Sequence, residues 1–353
     1  MLEPKTILEV SECVRGSARV IAVGAGTKRV LSSVGCEGFE RLEMGGVAGV
    51  VEYDPGEYTI TVSGGTRVAD VEQVLAENGQ YLPFEPPLVA AGATIGGTVA
   101  AGLNGAGALR YGGVRDFIVG ATVVDGSGAV LKTGGKVVKN AAGFDVPKFL
   151  VGSLGRFGVI CEVTFKVFPR ADVRRTFRVR VGGGVEAGKL MGEVAVAQVE
   201  ADALGFDPSR GEVYVRFGGT ERGVAARMEE ATRRWGGELM GGEPADELWD
   251  GMREFGVLGR GAPIVKVPLS PGLVGEIEDR LDGEVKRRYA LGGNVGYFSL
   301  AGRLAEVLEG MRLSGVVMMG AAEVLRLGVW EEPAIVGRLK HAFDPEGRFP
   351  SPV

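Results

Sequence analysis

The first half of the chain alternates between apolar runs and glycine-rich breaks. Residues 19–23 and 117–124 are continuous apolar runs, which predict buried strands. Residues 58–62 and 159–168 alternate apolar with polar side chains, as strands with one buried face do. Residues 68–75 instead place apolar side chains at helical spacing. These segments predict a domain that contains both strands and helices.

The pattern changes after Pro169, where two successive rounds of strands and helices begin. In the first round, a strand from Val173 is followed by helices over 185–196 and 221–235, with two strands between them, the second at 213–217. The second round has strands at 264–269, 285–291, 297–300 and 316–319, with helices near 271–281 and 304–313. This β-α-β-β-α-β order is ferredoxin-like and favours a mainly antiparallel sheet.

We therefore predict an α+β protein of two domains, residues 1–170 and residues 171–353, with a C-terminal helix that returns to the first domain. A length of 353 residues fits two hydrophobic cores better than one. The net charge of −5 argues against binding to nucleic acid, which normally requires a basic surface.

The chain contains no apolar run of the roughly 18 residues that span a bilayer, and residues 1–10 do not resemble a signal peptide. Cys13, Cys36 and Cys161 are scattered and odd in number, which suits free thiols in the cytoplasm and cannot supply the four ligands of an iron–sulfur cluster. With His341 as the single histidine, a site built from several histidines is impossible, and no metal site is predicted.

The loop from Gly24 to Lys28 follows the predicted strand at 19–23 and reads Gly24-Ala25-Gly26-Thr27-Lys28. Glycines after a strand allow backbone N–H groups to turn toward an anion, and the Thr27 hydroxyl and Lys28 charge would add to phosphate binding. An ordinary tight turn is the alternative. The loop lacks the Gly-Lys-Ser/Thr ending of a Walker loop and the longer glycine spacing of a Rossmann fingerprint.

A longer small-residue segment covers residues 86–102. Small side chains at most of these positions allow the backbone to approach a flat ligand or another backbone segment closely. We expect Thr94 to cap a short helix beginning at Ile95, whose N–H groups would point toward a diphosphate. A glycine-rich crossing of buried helices is the alternative.

The ordered motifs of residues 20–170 resemble the FAD-binding domain of the vanillyl-alcohol oxidase/p-cresol methylhydroxylase superfamily, and within it the smaller flavin subunit of glycolate oxidases. The resemblance rests on the two segments above and on residues 54–58, 79–87, 134–145 and 152–160. It implies a two-subdomain FAD-binding domain of the p-cresol methylhydroxylase type, followed by a cap domain that contacts substrate or other subunits.

The resemblance also implies a set of residues that hold FAD without a covalent bond. Gly24, Ala25, Gly26, Thr27 and Lys28 match the first pyrophosphate loop. The remaining matches are Pro87, Gly92, Ala93, Thr94, Gly96 and Gly97 in the second flavin-facing segment, Gly102, Tyr111 and Gly112 beside the flavin ring, and Gly158, Val159 and Ile160 toward the adenosine.

Four departures from the family pattern concern the same region. Phe144 stands where relatives usually have tyrosine, Leu154 replaces a common glutamate, and Phe157 replaces leucine. The tail reads Phe349-Pro350 where relatives often have Phe-Asn-Pro, which puts a C-terminal cofactor contact in doubt.

No residue stands out as a catalytic base. Relatives that oxidise 2-hydroxy acids carry histidines in the cap domain, whereas His341 in the last helix lacks a companion motif and is expected on the surface or in packing. Lys139, Arg115 and Tyr111 are weak candidates because they come from glycine-rich loops. For Arg115, a salt bridge to Asp116 is the alternative, and for Lys139 a solvated side chain.

Three functions remain open. In the first, the chain is the FAD subunit of a 2-hydroxy-acid dehydrogenase complex of the glycolate or D-lactate type, which relays electrons between a larger flavin subunit and an iron–sulfur subunit. In the second, it is a self-sufficient FAD-dependent dehydrogenase or oxidase with a base other than histidine. In the third, it is a structural subunit with a vestigial flavin site.

Overall fold

The computed structural model describes residues 1–135, 145–197, 199–259, 261–331 and 333–352. The α-helices are α1 (Ile7–Gly16), α2 (Val68–Ala76), α3 (Ile95–Ala101), α4 (Ala108–Tyr111), α5 (Val114–Phe117), α6 (Val146–Leu150), α7 (Gly184–Val196), α8 (Glu221–Trp235), α9 (Gly242–Arg253), α10 (Val274–Arg280), α11 (Leu304–Gly310) and α12 (Ile335–Phe343). Short 3-10 turns occupy Arg29–Ser32, Met44–Gly46, Gly256–Leu258, Pro271–Leu273 and Leu291–Gly293.

The strands are β1 (Val20–Val23), β2 (Glu40–Glu43), β3 (Val50–Asp54), β4 (Thr59–Ser63), β5 (Gln80–Tyr81), β6 (Ile118–Val124), β7 (Val130–Gly134), β8 (Val159–Lys166), β9 (Phe168–Pro169), β10 (Val173–Arg180), β11 (Ala203–Asp207), β12 (Glu212–Gly219), β13 (Glu238–Leu239), β14 (Ile264–Pro268), β15 (Arg287–Ala290), β16 (Val295–Ser299), β17 (Ser314–Met319) and β18 (Arg326–Gly328).

The chain divides into two compact units. The first comprises the described residues of 1–104, 113–169 and 331–353, and the second those of 105–112 and 170–330. The chain therefore passes from one unit to the other after Pro169, and α12 belongs to the first unit. The short segment 105–112, which carries α4, belongs to the second unit although its neighbours in sequence do not.

The first unit contains a parallel pair, β1 with β2, and a five-stranded antiparallel sheet in the order β3-β4-β8-β6-β7. The alternation along β8 buries Val159, Cys161, Val163 and Phe165. Val159 and Cys161 pack with Val10 of α1 in one core cluster. The strand predictions for 19–23, 58–62, 117–124 and 159–168 and the helix prediction for 68–75 are confirmed, with ends shifted by a few residues.

The second unit is built on one nine-stranded sheet in the order β13-β10-β12-β11-β15-β16-β14-β17-β18, and all its pairings are antiparallel. The first four strands and the next four each form a ferredoxin-like half, and the two halves meet where Phe206 of β11 pairs with Tyr289 of β15. The predicted α+β class and mainly antiparallel sheet are confirmed.

One helix escaped the sequence prediction. Helix α9 lies between the two predicted rounds, and it buries Ala245, Trp249 and Met252 along one side. Trp249 donates its indole N–H to the Thr176 hydroxyl of β10 at 2.9 Å, which fixes the helix against the sheet.

Candidate functional site

The loop that follows β1 presents backbone donors to a cavity. Val20, Ile21 and Val23 of β1 are buried, and the chain then turns at Gly26, whose φ of +68° favours glycine. In the part of the chain that the structure describes, the backbone N–H groups of Ala25, Gly26 and Thr27 donate to no protein acceptor. Successive free N–H groups of this kind attract an anion.

Lys28 brings a positive charge to the same loop. Its Nζ donates to the Thr27 hydroxyl at 3.1 Å. Burial lowers the pKa of this ammonium group to about 8, because the charged form loses hydration and gains no carboxylate in return. An anion placed beside Lys28 would favour the charged form again.

The cavity in the first unit encloses about 740 Å³ of empty space, which includes some open solvent. It is lined by Ala22, Val23, Gly24, Ala25, Gly26, Thr27, Lys28, Leu31, Ser32, Met44, Gly64, Thr94, Gly96, Gly97, Ala100, Ala101, Leu154, Gly155, Gly158 and Ile160. Lys28 is the one ionisable side chain among these lining residues.

Glycines line this cavity where two pieces of backbone come into contact. A Cβ at Gly24 would collide with the Thr94 hydroxyl, and a Cβ at Gly64 would collide with the Ile160 carbonyl oxygen. Gly96 donates its N–H to the Gly64 carbonyl at 2.7 Å, and a Cβ there would lie 2.9 Å from the same oxygen. Larger residues at these positions would push apart the segments that line the cavity.

The structure brings together ten of the residues predicted to hold the cofactor. The loop Gly24 to Lys28 lines the cavity together with Thr94, Gly96, Gly97, Gly158 and Ile160. Sequence reasoning missed Leu31, Met44 and Gly64, which come from segments without a motif. It also missed Leu154 and Gly155 as site residues, although both lie in a motif that carries the family resemblance.

Five predicted residues of the first unit do not line this cavity. Pro87 and Ala93 are buried. Gly92 turns the chain with a φ of +86°, and Gly102 ends α3 with a φ of +61°. Val159 points to the core cluster because side chains alternate along β8, so that its neighbour Ile160 faces the cavity instead.

Thr94 occupies the N-cap position of α3 as expected, but its side chain makes no capping hydrogen bond. The N–H groups of Ile95 and Gly96 already donate to the carbonyls of Thr66 and Gly64, at 2.9 and 2.7 Å. These two groups are therefore not available to a diphosphate, so the prediction is wrong for Ile95 and Gly96. The N–H group of Gly97, the next residue of α3, has no acceptor among the described residues, and Gly97 lines the cavity with the loop after β1.

Tyr111 and Gly112 belong to the second unit, where α4 ends at Tyr111. Their neighbour Arg110 donates to the Asp202 carboxylate at 3.0 Å and to the Glu200 carboxylate at 2.8 Å. The guanidinium carbon of Arg110 lies 5.4 Å from the centre of the Tyr111 ring. These contacts attach segment 105–112 to the second unit.

The catalytic candidates show no arrangement for proton transfer. Lys139 lies outside the described residues, and so does Phe144. Arg115 is exposed, and Asp116 accepts the Gly113 N–H at 2.8 Å. Asp145 caps α6 and pairs with Lys148 at 2.8 Å. Hydrogen bonding to Lys148 lowers the pKa of the Asp145 carboxyl, which makes it a weaker base.

His341 and Cys161 are explained by their positions. His341 is exposed in the last turn of α12, as expected for a surface residue. Cys161 is fully buried in the core cluster, and burial raises the pKa of its thiol to about 12. A thiol that stays protonated and faces the core is a poor point of covalent attachment for a ligand.

Two departures from the family pattern have clear local surroundings. Leu154 adopts a left-handed φ of +53°, donates its N–H to the Ala100 carbonyl at 2.9 Å and lines the cavity with an apolar side chain. Phe157 is buried and contacts Phe149 edge to face, with ring centres 4.8 Å apart. Leu154 makes this side of the cavity more apolar than a glutamate would, whereas Phe157 exchanges one apolar side chain for another.

Within the described ranges, no three His, Cys, Asp or Glu side chains lie close enough together to hold a metal ion. Among the same residues, we find no helix with the length and apolar content needed to cross a membrane.

Comparison with protein families indicates the class of ligand. Residues 1–134, which contain the loop after β1, all of α3 and most of the cavity lining, match the family described as "FAD binding domain". The match indicates FAD as the cofactor of the chain.

Curated relatives match parts of the chain. The chain is 36% identical to the Escherichia coli glycolate oxidase subunit GlcE over 211 residues, or 58% of this chain and 56% of GlcE. It is 26% identical to the Bacillus subtilis glycolate oxidase subunit GlcD over 210 residues, or 44% of GlcD. A D-lactate dehydrogenase of Anaerostipes hadrus is 30% identical over 160 residues, or 33% of its length. The chain thus matches about half or less of the length of these relatives.

Solved structures extend the likeness of fold beyond the FAD binding domain. An alkyldihydroxyacetonephosphate synthase matches with a TM-score of 0.72 over 99% of this chain and 76% of its own, at 15% sequence identity. At this identity the match concerns the fold alone.

The geometry of the cavity fits the diphosphate of FAD. Free N–H groups at Ala25, Gly26 and Thr27 and the ammonium group of Lys28 provide donors and positive charge at one end. Gly24, Gly64 and Gly96 allow the segments that line the cavity to pack closely against one another. The chain would therefore hold a diphosphate largely through backbone groups.

Proposed function

We propose that the chain binds FAD non-covalently in the cavity of the first unit and acts as the FAD subunit of an oxidoreductase for 2-hydroxy acids of the glycolate or D-lactate type. One observation carries the proposal. The N–H groups of Ala25, Gly26 and Thr27, which have no acceptor among the described residues, and the charge of Lys28 meet beside a glycine-lined cavity.

When bound, FAD supplies the capacity to accept a hydride or electrons. The residues of the chain bind and orient it. Lys28 and the loop amides hold the diphosphate, while Ala100, Ala101 and Leu154 exclude water from the cavity with apolar side chains. The burial of Cys161 supports non-covalent binding.

A role in electron relay within a complex accords best with the absence of an evident base among the described residues. Names of relatives as glycolate oxidase subunits support an assembly of several chains. We infer a larger flavin subunit and an iron–sulfur subunit as its partners. The unpaired cysteines support a cytoplasmic location for such a complex.

The test is the visible absorption spectrum of the purified chain after incubation with FAD and gel filtration, followed by anaerobic addition of glycolate or D-lactate. We expect a yellow protein whose flavin is released by denaturation without proteolysis. We further expect the colour to persist with substrate and to bleach only when the partner subunits are added.

Each contrary result removes a different part of the proposal. A protein that retains no FAD would contradict the cofactor site and favour a structural subunit. Bleaching by substrate without partners would replace the relay role by a self-sufficient dehydrogenase. Flavin that stays attached after denaturation would contradict non-covalent binding.

A further inference from the structure

Arg156 is a buried cation whose guanidinium contacts backbone carbonyls. It is 2% exposed, and its Nη1 donates to the Ser351 carbonyl at 3.1 Å. Its Nη2 donates to the carbonyls of Leu31 and Val34, at 3.1 and 3.3 Å. A buried charge is costly unless hydrogen bonds compensate for its lost hydration, so these three contacts constrain where the carbonyls can lie.

The carbonyls belong to segments that meet at the cofactor cavity. Leu31 lines the cavity from the 3-10 turn Arg29–Ser32, which follows the pyrophosphate loop. Leu154, Gly155 and Gly158 line it from the segment that contains Arg156 itself. The guanidinium thus joins two cavity-lining segments that lie more than a hundred residues apart in sequence.

The third segment is the tail, residues 344–352, which lines no part of the cavity. It is nevertheless well fixed, because Val20 of β1 donates to the Arg348 carbonyl at 2.8 Å and the Phe349 side chain is buried in the core cluster. The Asp344 carboxylate accepts the N–H groups of Arg348 and Phe349, at 2.8 and 2.9 Å.

Lys340 of α12 closes the connection between the tail and Arg156. Its Nζ donates to the Arg156 carbonyl at 2.7 Å, to the Asp344 carboxylate at 2.7 Å and to the carbonyls of Phe349 and Pro350 at 3.0 Å each. Arg156 is therefore held from both sides, with its side chain donating to the tail and its carbonyl accepting from the lysine that holds the tail.

We propose that Arg156 is a positioning residue of the cofactor cavity and that it couples FAD binding to the tail. The inference rests on the proposed function as far as the ligand is FAD. If the cavity-lining segments and the tail share one hydrogen-bonded centre, FAD must stabilise the tail, and loosening the tail must weaken FAD binding by the same factor.

The first test needs no ligand. Hydrogen–deuterium exchange would be compared between the wild-type chain and Arg156→Met, which keeps a long unbranched side chain and removes its donors. We expect faster exchange in peptides covering 29–34, 152–158 and the tail, with exchange in 264–300 unchanged. Faster exchange confined to 152–158 would overturn the coupling.

The second test adds FAD and follows the quenching of flavin fluorescence. We expect Arg156→Met to raise the Kd for FAD about tenfold or more. The Kd of Arg156→Lys should lie between the values of the wild type and Arg156→Met, because one ammonium group cannot reach all three carbonyls. Arg287→Met, which breaks an ion pair in the second unit, is the matched control and should leave the Kd unchanged.

Saturating FAD should also slow exchange in the tail of the wild-type chain and fail to do so in Arg156→Met. The exchange of the wild-type tail with and without FAD can be compared even if Arg156→Met does not fold. An unchanged Kd in both Arg156 variants, or a tail that FAD does not protect in the wild type, would overturn the inference. A wild-type chain that binds no FAD would instead contradict the proposed function and the ligand part of this inference, while the first test still decides the coupling of the segments.

Discussion

The two units contain cations that are held by different partners. In the first unit, Arg156 donates to three backbone carbonyls, and Lys340 donates to three carbonyls and one carboxylate. In the second unit, the Arg287 guanidinium makes a two-pronged ion pair with Glu278, at 2.8 and 2.9 Å, and Arg110 pairs with Asp202 and Glu200.

The difference explains how the first unit can offer an anion site with little side-chain charge. The polar groups around its cavity come largely from the backbone, so glycines that allow close approach carry the function there. The second unit relies on side-chain pairs, which stabilise its sheet. We therefore expect substitutions of glycine in the first unit to affect FAD, and substitutions of ion pairs in the second to affect stability alone.

The largest effect is expected from Gly64→Ala. The new Cβ would collide with the Ile160 carbonyl oxygen, which belongs to the backbone of β8 and cannot move aside as a side chain can. We expect the Kd for FAD to rise more than about 100-fold and the free energy of unfolding to fall by ~1–3 kcal/mol. Titration with FAD and denaturant unfolding measure the two quantities.

Gly45→Ala is the control for this substitution, since a Cβ at Gly45 meets no atom within 4 Å. It should leave both quantities unchanged. If Gly64→Ala binds FAD as tightly as the wild type, the close approach of backbone at this point is not what shapes the site.

An intermediate effect is expected from Lys28→Met, which removes the one ionisable side chain of the cavity lining. We expect the Kd for FAD to rise about 10- to 100-fold, as for the loss of a charge-assisted hydrogen bond worth ~1.5–3 kcal/mol. Fluorescence titration at several pH values measures it. The pKa of Lys28 without ligand is about 8, and the diphosphate should raise it.

The rise in the pKa of Lys28 on binding determines how the affinity for FAD changes with pH. Below pH 8 Lys28 is charged in both states and the affinity is constant, whereas above pH 8 binding must take up a proton and the affinity falls. Lys28→Met should show no such fall. A wild-type affinity that is flat between pH 7 and about pH 10 would mean that Lys28 does not meet the diphosphate.

The smallest effect is expected from Glu278→Gln in the second unit, which should leave the Kd for FAD unchanged. The Glu278 carboxylate accepts from Arg287 and from the Tyr289 hydroxyl at 2.6 Å, and the side chains of Arg287 and Glu278 are 17% and 12% exposed. We expect the free energy of unfolding to fall by ~1–3 kcal/mol. Unchanged stability, or a weaker affinity for FAD, would contradict the division between the two units.

The sequence was sufficient to predict what depends on local pattern. Apolar periodicity placed most strands, and the glycine loop at the end of β1 could be interpreted because strand and loop are adjacent in the chain. Contacts between distant segments could not be predicted, and Gly64 is the clearest case. Nothing near it forms a motif, and its importance comes from Ile160 on a strand far along the chain.

The errors have equally specific causes. Helix α9 was missed although Ala245, Trp249 and Met252 follow helical spacing, because glycines flank it and it falls between two regular rounds. The role of Thr94 was misjudged because the partners of the Ile95 and Gly96 amides, Thr66 and Gly64, are fixed only by tertiary packing. The single charge on Arg156 carried no signal at all in the sequence.

The strand order of the second unit has a consequence for solubility and association. Strands β11 and β15 would each be an exposed edge strand of a separate four-stranded sheet. By pairing with each other, they remove two rows of unpaired backbone groups. The edge strands of the nine-stranded sheet are β13, with two residues, and β18, with three. Such short edge strands offer few N–H and C=O groups to a strand of another chain. They therefore protect the sheet from edge-to-edge association at either end.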